Sequence, residues 1–231
     1  MVQYTEWRSI SDGSIISSIP DSTVYQLNAL ELSGFNNGDS VSTWEESITG
    51  TGISGSGTYR DSGIGGSPSV ELDGTDDGYL DETLDDISPP YSLFILVEPF
   101  YDGSDAQDLT ARINNADNIV SLGSGSDAQV NFRIDGETNR TSEGIWDVNE
   151  PILLSARIES GNSVGRVNKS QEVNFSESDT FPSLLFGYNE DSNDDHLEGY
   201  AGLLEVHDEA LSDSELLERE EDIESLFGIN V

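Results

Sequence analysis

The chain has 231 residues and a formal net charge of −37, set by 46 acidic against 9 basic side chains. This charge excludes a nucleic acid as partner, because phosphate binding needs a basic surface. The absence of cysteine excludes disulfides and thiolate metal sites. Leu, Ile, Val and Phe still make up 59 residues, above the roughly one-fifth that marks a disordered chain, so we expect a folded protein.

The acidic residues are spread along the whole chain, and lysine occurs once, at Lys169. Repulsion among so many carboxylates opposes folding in dilute buffer, whereas a Debye length of about 3 Å in 1 M salt screens it. The composition therefore favours a halophilic protein, from a haloarchaeon or a haloarchaeal virus. An ordinary acidic extracellular domain is the alternative.

Residues 1–23 are polar and rich in serine, and we expect them to form an arm that a partner orders. The segment lacks a basic region followed by an apolar core, so it does not resemble a secretory signal. The longest strongly apolar run, residues 92–97, is too short to span a bilayer. We therefore expect no membrane partner, and a protein that stays where it is made or leaves within an assembly such as a virion.

Residues 24–231 are expected to form a single domain of short strands, because strand-like runs recur between clusters of Gly, Asn, Asp and Ser. Val130, Phe132 and Ile134 alternate with polar residues, as in a half-buried strand. No helical segments alternate with the strands, which indicates an antiparallel sandwich. The predicted strands cover residues 24–30, 69–73, 91–100, 118–123, 128–135, 151–160, 163–168, 183–189 and 200–208.

Two stretches rich in glycine lie among these strands. Residues 49–67 are predicted to be a loop, and residues 69–82 a hairpin with its turn at residues 74–78. The acidic side chains of the second stretch are interpreted as the solvated edge of that hairpin.

One helix is expected near the C-terminal end, over about residues 213–227. Ser212 and Glu215 have the spacing of a capping box, and Gly228 suits a left-handed C-terminal cap. Apolar residues fall on one face of this helix, so we expect it to lie across an edge of the sheet. Those residues are Leu216, Ile223 and Phe227, with Leu226 beside them.

The C-terminal stretch YAGLLEVHDEALSDSELLEREEDIESLFGI resembles the terminal signature of the laminin-G-like, concanavalin A-like lectin-glucanase jelly-roll superfamily. DSVSTWEES is similar to its early tryptophan strand, SPSVELDGTDDGYL to its next hairpin, and SARIESGNSVGRVNK to a hairpin of its second half. The resemblance implies an all-β jelly-roll sandwich of two antiparallel sheets, and often a sugar- or protein-binding role. It does not fix the function, because one fold hosts many functions.

Two acidic loops carry oxygen ligands of the kind that calcium accepts. Asp73, Thr75 and Asp77 match the start of an EF-hand loop, but Leu84 stands where its last ligand belongs. The second loop has Asp191, Asn193 and Asp195 at alternate positions, followed by His196. We commit to no metal site; calcium is a candidate cofactor for the second loop, and a solvated loop is the alternative.

A sugar site pairs an aromatic ring with polar groups, because a sugar has an apolar face and a rim of hydroxyls. Tyr101 and Tyr188 lie beside loops rich in Asp and Gly. The predicted ligand-binding set is therefore Tyr101, Tyr188, Asp191, Asn193, Asp195 and His196. Further aromatic candidates are Trp44, Trp146, Tyr59 and Tyr79, although the family resemblance places Trp44 in a core strand.

A glycosidase needs two carboxylates that face each other across a cleft. The nearest match to the Glu-x-Asp-x-x-Glu strand of sandwich hydrolases starts at Glu205, but His207 and Ala210 stand at the partner positions. We therefore expect no enzymatic activity and no catalytic residues. A glycoside hydrolase is the third hypothesis.

The favoured hypothesis is a structural or adhesion protein on an assembly surface. It would be a virion component of a haloarchaeal tailed virus, such as a capsid decoration, a turret or a tail-associated module, assembled in the host cytoplasm. Its expected partners are other virion or shell proteins and further copies of itself. The alternative hypothesis is a lectin-like module that binds cell-surface glycans.

Overall fold

The computed structural model describes residues 4–6, 19–75, 77–81, 84–85, 87–100, 107–112, 115–123, 128–134, 137–178, 180–181, 184–187 and 196–231. The strands are β1 (Tyr4–Glu6), β2 (Ile19–Pro20), β3 (Thr23–Asn28), β4 (Thr43–Glu45), β5 (Gly52–Ser56), β6 (Thr58–Arg60), β7 (Ser69–Asp73), β8 (Gly78–Asp81), β9 (Tyr91–Pro99), β10 (Gln107–Arg112), β11 (Asn115–Leu122), β12 (Val130–Ile134), β13 (Glu137–Arg140), β14 (Ile152–Ile158), β15 (Ser163–Val167), β16 (Ser170–Phe175), β17 (Leu184–Phe186) and β18 (Glu198–His207). The α-helix is α1 (Asp213–Phe227), and two 3-10 turns cover Ala29–Glu31 and Ile64–Gly66. None of the helices in these residues is long and apolar enough to cross a membrane.

Two antiparallel sheets pack face to face. One, named the open sheet, has the strand order β13-β12-β11-β10-β17-β8-β5-β4. The other, named the helix-side sheet, has the order β16-β15-β14-β9-β18-β7-β6, and β3 also pairs with β18. Strands β1 and β2 pair separately, within the segment predicted to be an arm. The predicted all-β jelly-roll sandwich with one C-terminal helix is confirmed.

The main core lies between the sheets and follows from the alternation of the strands. On β12, Val130, Phe132 and Ile134 are buried and the residues between them are half-buried, as predicted. Trp44 of β4 is fully buried and packs edge-to-face on Tyr79 of β8, with ring centroids 5.2 Å apart. The tryptophan strand implied by the family resemblance is thus a core strand.

The glycine-rich stretch 49–67 contains strands β5 and β6, so the prediction of a loop is wrong. Its glycines allow neighbouring groups to approach closely. A Cβ at Gly55 would lie 2.2 Å from the carbonyl oxygen of Gly78, and a Cβ at Gly57 would lie 2.5 Å from Cγ1 of Val70. At these two positions glycine marks close packing of strands rather than a turn.

Residues 69–82 do not form the predicted hairpin, because β7 belongs to the helix-side sheet and β8 to the open sheet. Strand β7 pairs with β18 and β6, whereas β8 pairs with β17 and β5. Asp73 Oδ1 accepts hydrogen bonds from Thr75 N (2.9 Å) and Thr75 Oγ1 (2.8 Å), and the Asp77 carboxylate accepts one from Asp73 N (3.2 Å). These acids therefore stabilise the connection between the two sheets.

Helix α1 begins and ends as predicted. The Ser212 side chain accepts a hydrogen bond from Glu215 N, and the Glu215 carboxylate accepts one from Ser212 N, which completes the capping box. Gly228 follows the helix with a φ of 66° and a left-handed conformation.

Helix α1 lies across the outer face of the helix-side sheet, and not across a sheet edge as predicted. Its buried residues Leu216, Ile223 and Phe227 form a second apolar cluster with residues of β9, β14, β15 and β18. The other face of β9, β14 and β18 packs against the main core. These strands are buried on both faces, which explains the continuous apolar run at residues 93–97 of β9.

Candidate functional site

The aromatic residues proposed from the sequence are either buried or outside the described residues. Trp44, Trp146, Tyr59 and Tyr79 are buried. Tyr79 Oη donates a hydrogen bond to the carbonyl oxygen of Val41 at 2.7 Å, and so supports the core. Tyr101 and Tyr188 lie outside the described residues, and their role in ligand binding stays a prediction.

The predicted acidic loop is described only at its end. Asp191, Asn193 and Asp195 lie outside the described residues, and His196 is buried. In the described ranges, no group of three or more His, Asp or Glu side chains is arranged to hold a metal ion. The calcium site in this loop therefore stays a prediction.

Glu205, the residue nearest to a catalytic strand motif in the sequence, lies fully buried beneath helix α1. Its carboxylate accepts hydrogen bonds from Arg219 Nε (2.7 Å) and Arg219 Nη2 (2.6 Å). His207 Nε2 lies 2.7 Å from Glu205 Oε1, and Gln26 Nε2 also donates to this carboxylate. A carboxylate enclosed in this way does not face a substrate, so Glu205 has a structural role.

Two opposing effects set the pKa of Glu205. Burial removes water from the carboxylate and raises its pKa, but the charge of Arg219 and the hydrogen bond with His207 together outweigh burial. The pKa is therefore held well below its usual range. Glu205 and Arg219 form a buried ion pair between sheet and helix.

A second buried ion pair lies under the same helix. Arg166 of β15 donates to the fully buried Glu220 through Nε (2.9 Å) and Nη2 (2.8 Å), and Ser155 Oγ donates to the same carboxylate at 2.6 Å. Two further helix–sheet ion pairs, nearer to solvent, are Arg157–Asp213 (2.9 Å) and Lys169–Glu224 (2.7 Å). Four of the nine cations of the chain thus join the helix to the sheet. We refer to Glu205, His207, Arg219, Arg166 and Glu220 as the buried ion-pair layer.

A pattern in the helix sequence could have revealed this layer. Arg219 and Glu220 stand three and four residues after Leu216, on the helical face that also carries Ile223. Charged residues are almost never fully buried unless they are paired. Two charges within an apolar stripe therefore indicate charged partners on the strands beneath.

The outer face of the helix-side sheet also carries an exposed aromatic group. In the described part of the chain, the partly exposed aromatic side chains are Phe35, Phe100 and Tyr200. Tyr200 of β18 pairs in register with Glu71 of β7 on one side and with Glu98 of β9 on the other. Directly opposed residues of neighbouring strands present their side chains on one face. Phe100 packs edge-to-face on Tyr200, with ring centroids 4.6 Å apart.

Arg60 of β6 extends this group, because its Nε donates a hydrogen bond to Glu71 Oε2 in an ion pair. We refer to Arg60, Glu71, Glu98, Phe100 and Tyr200 as the Tyr200 platform. All five side chains are partly exposed. The Tyr200 platform shares its face with helix α1, since the residues that alternate with Glu71 and Tyr200 point into the main core. A ligand in solvent can therefore contact it.

Carboxylates dominate the charge of the Tyr200 platform, in which Arg60 is the single cation. Burial raises the pKa of Tyr200, and the charge of Glu71 raises it further, against an opposing effect of Arg60. Burial, followed by the charge of the nearby Glu150, also raises the pKa of Glu98. The platform is thus an aromatic ring in a negatively charged setting.

The Tyr200 platform has the chemistry that a hydroxylated ligand needs. The Tyr200 ring offers an apolar surface, and the carboxylates of Glu71 and Glu98 can accept hydrogen bonds from hydroxyl groups on either side of it. The guanidinium of Arg60 supplies further N–H donors. A ring with an apolar face and a rim of hydroxyls fits this arrangement.

Comparison with known proteins identifies the fold. No protein-family model and no curated protein matches the sequence. Domain 4 of AbnA, a GH43 extracellular arabinanase from Geobacillus stearothermophilus solved with arabinotriose, is similar with a TM-score of 0.54 and 17% identity, over 79% of this chain and 98% of that one. The CBM40 of the Ruminococcus gnavus IT-sialidase is similar with a TM-score of 0.52 and 12% identity, over 66% of this chain and 96% of that one.

A longer chain contains the same fold. Trypanosoma rangeli sialidase, solved with sialic acid, is similar with a TM-score of 0.63 and 10% identity over 95% of this chain. The match covers 35% of the sialidase, so this protein corresponds to about a third of that chain. At these identities the likeness shows the fold alone. That fold is a jelly-roll sandwich of antiparallel sheets.

Proposed function

We propose that this protein is a non-enzymatic adhesion module that binds a glycan at the Tyr200 platform. The observation that carries the proposal is a partly exposed tyrosine held between two carboxylates on the part of the outer sheet face that helix α1 leaves open. The similarity to a CBM40 and to an arabinanase domain supports it at the level of the fold. We therefore prefer the lectin-like function to a purely structural role.

The position of the Tyr200 platform on paired strands suits a binding site. Four of its side chains stand on β6, β7, β9 and β18, which belong to one sheet, so their spacing is fixed by backbone hydrogen bonds. Phe100 follows directly after β9. Phe100 packs against the Tyr200 ring and restrains it. A site built on strands loses little side-chain freedom on binding.

The charge of the Tyr200 platform selects among glycans. A carboxylated sugar would face Glu71 and Glu98, and also Glu150 beside Glu98. Like charges placed together disfavour a complex. We therefore expect neutral or amine-bearing glycans to bind and sialylated or uronic glycans to be rejected.

A glycan array in multi-molar KCl tests the proposal with three proteins: wild type, Tyr200→Ala and Phe35→Ala. Phe35 is the matched control, because it is also a partly exposed ring that packs on a second ring, Tyr59. We expect neutral oligosaccharides to bind wild type and Phe35→Ala. Tyr200→Ala should weaken binding about 30-fold or more, as loss of a hot-spot aromatic of roughly 2 kcal/mol does.

Three results would contradict the proposal. The first is binding that survives Tyr200→Ala unchanged, and the second is equal loss in both variants. The third is a preference for sialylated over neutral glycans, which would be incompatible with the negative charge around Tyr200.

We also propose that the module is carried on the virion of a haloarchaeal tailed virus. This placement rests on the acidic composition and the polar N-terminal segment alone. Sizing in multi-molar salt should give a closed oligomer if the protein is a shell component, and a monomer would contradict this.

The melting temperature should rise between dilute and multi-molar KCl, because screening relieves carboxylate repulsion. Equal stability in both would contradict the halophilic origin.

A further inference from the structure

A partly exposed serine lies at the end of the buried ion-pair layer. Ser22 stands in the turn between β2 and β3, and its Oγ lies 2.9 Å from Nδ1 of His207. On the other side of the ring, His207 Nε2 lies 2.7 Å from Glu205 Oε1. Serine, imidazole and carboxylate therefore form one hydrogen-bonded chain, with the serine at its solvent end. This chain shares no residue with the Tyr200 platform.

The Glu205 carboxylate decides which nitrogen of the imidazole carries the proton. Burial raises the pKa of Glu205, but the charge of Arg219 and the hydrogen bond with His207 outweigh it, so the group stays ionised. An ionised carboxylate only accepts hydrogen bonds, so His207 Nε2 donates to it. In the neutral ring Nδ1 is then an acceptor, and the Ser22 hydroxyl donates to it. The serine proton is thus directed at a base.

The imidazole is held firmly in this orientation. His207 is fully buried, and its ring packs edge-to-face on Phe94 of β9, with ring centroids 5.5 Å apart. The Glu205 carboxylate that orients the ring is itself fixed by Arg219 and Gln26. A group whose orientation is fixed by packing and by further hydrogen bonds is ready to take up a proton without rearrangement. Glu205 is therefore a positioning residue that acts through His207.

The backbone already anchors the turn that carries Ser22. Asp208 N donates a hydrogen bond to the Ser22 carbonyl oxygen at 3.0 Å, and Thr23 pairs with His207 in register. Attachment of this turn to β18 thus has a backbone basis that is separate from the Ser22 hydroxyl. A hydroxyl within about 2.6–3.2 Å of a base that a third group orients is the geometry of a nucleophilic serine.

We propose that Ser22 is a nucleophile that takes up an acyl group from an activated ester. Ser22 Oγ attacks the carbonyl carbon of the ester and forms a C–O bond, while its proton moves to Nδ1 of His207. The bond between that carbon and the leaving oxygen then breaks, and the leaving oxygen takes the proton from His207. The products are O-acylated Ser22 and the free alcohol. One ester is consumed per chain, and glycan binding does not depend on the transfer.

Acetylation by p-nitrophenyl acetate tests this on the full chain in multi-molar KCl, with mass spectrometry of the digested protein. Ser67 is the matched control, because it is also partly exposed but donates to the carbonyl oxygen of Phe227 at 3.1 Å. We expect Ser22 to be acetylated about 100-fold faster than Ser67 or more, which is the rate gain that a general base supplies. His207→Gln should remove that advantage, and Ser67→Ala should leave the Ser22 rate unchanged.

The pH profile of Ser22 acetylation separates a general base from a histidine that is only structural. With His207 as the base, the rate should rise as the imidazole loses its proton and then level off. For a hydroxyl without a base, the rate should follow hydroxide and keep rising. The charged groups that face His207 are Glu205 of its own strand and Arg219 of α1, which binds the same carboxylate oxygen. Its contacts on β9 and in the turn before β3 carry no charge.

Three results would overturn the proposal. The first is acetylation of Ser22 in wild type that is no faster than that of Ser67. The second is a His207→Gln variant that melts cooperatively and still reacts at the wild-type rate. The third is a rate that keeps rising with pH. If His207→Gln does not fold, the comparison of Ser22 with Ser67 and the pH profile decide, since both use the wild-type chain.

Discussion

The outer face of the helix-side sheet has two halves that handle charge in opposite ways. Under helix α1, Glu205 and Glu220 are fully buried, and each is matched by an arginine. At the Tyr200 platform the face is open, and its single cation Arg60 pairs with Glu71 and not with Glu98. The same sheet therefore carries a closed, paired surface beside an open surface with excess negative charge.

The closed half of the face serves stability, and the open half is the part that we propose binds a ligand. A buried ion pair has no access to solvent, so its carboxylates are committed to holding the helix on the sheet. Carboxylates around an exposed ring keep acceptor capacity for a ligand. In a chain with nine cations, placing four of them at the helix–sheet contact leaves the rest of the surface acidic.

The largest expected effect is on the free energy of unfolding, when an arginine is replaced by methionine in each half. Arg219→Met leaves Glu205 buried without its counter-charge and should lower the free energy of unfolding by about 3–5 kcal/mol. Arg60→Met removes a partly exposed cation and should lower it by about 0–1 kcal/mol. Urea unfolding in multi-molar KCl measures both. Equal losses in the two variants would show that the halves do not differ.

The second expected effect is a pH dependence of the difference in unfolding free energy between wild type and Arg219→Met. The pKa of Glu205 is lowered in the folded state, so its contribution is present above the unfolded-state value of about 4.3 and is lost as the pH falls below it. Without Arg219, burial raises the pKa of Glu205, so the gap between wild type and Arg219→Met should shrink steadily as the solution is made more acidic. Urea unfolding of both proteins across this pH range tests it. A gap that grows on acidification would contradict the assignment.

The smallest expected effect lies in the open half. The pKa of Glu98 is raised in the folded state, so its ionised form opposes folding, and this penalty appears as the pH rises through the folded pKa. Glu98→Gln should therefore stabilise the protein at neutral pH by about 0.5 kcal/mol or less, because the group is partly solvated. The gain should vanish in acid. Melting temperatures at the two pH values measure it, and a destabilised variant at neutral pH would contradict the cause given for the shift.

Local sequence patterns predicted much of the fold. The capping box of Ser212 and Glu215, the Gly228 cap and the alternation of Val130, Phe132 and Ile134 were each confirmed. These features depend on neighbours within a few residues. The stretch 69–82 was predicted wrongly, because strand, turn and strand have the same local pattern whether they form a hairpin or pass between two sheets. Only the distant partners of β7 and β8 decide between the two.

The Tyr200 platform was not predictable from the sequence for a related reason. Tyr200 falls in a predicted strand, and a period of two residues separates the two faces without showing what covers each. Whether the outer face at Tyr200 is covered depends on where helix α1 lies. The helix lies on the sheet face and not at a sheet edge as predicted. A tyrosine in a strand is therefore recognised as exposed only once the layers are known.

The central claim is that the open half of this face binds a glycan through Tyr200. Its most direct test is an NMR titration of the protein with ring-labelled tyrosine, in multi-molar KCl, using a neutral oligosaccharide such as arabinotriose or the best array ligand. The Tyr200 signal is assigned by its absence in Tyr200→Phe. We predict that the ligand shifts the Tyr200 signal and leaves the signal of buried Tyr59 in place. Saturable binding with an unmoved Tyr200 signal would contradict the claim.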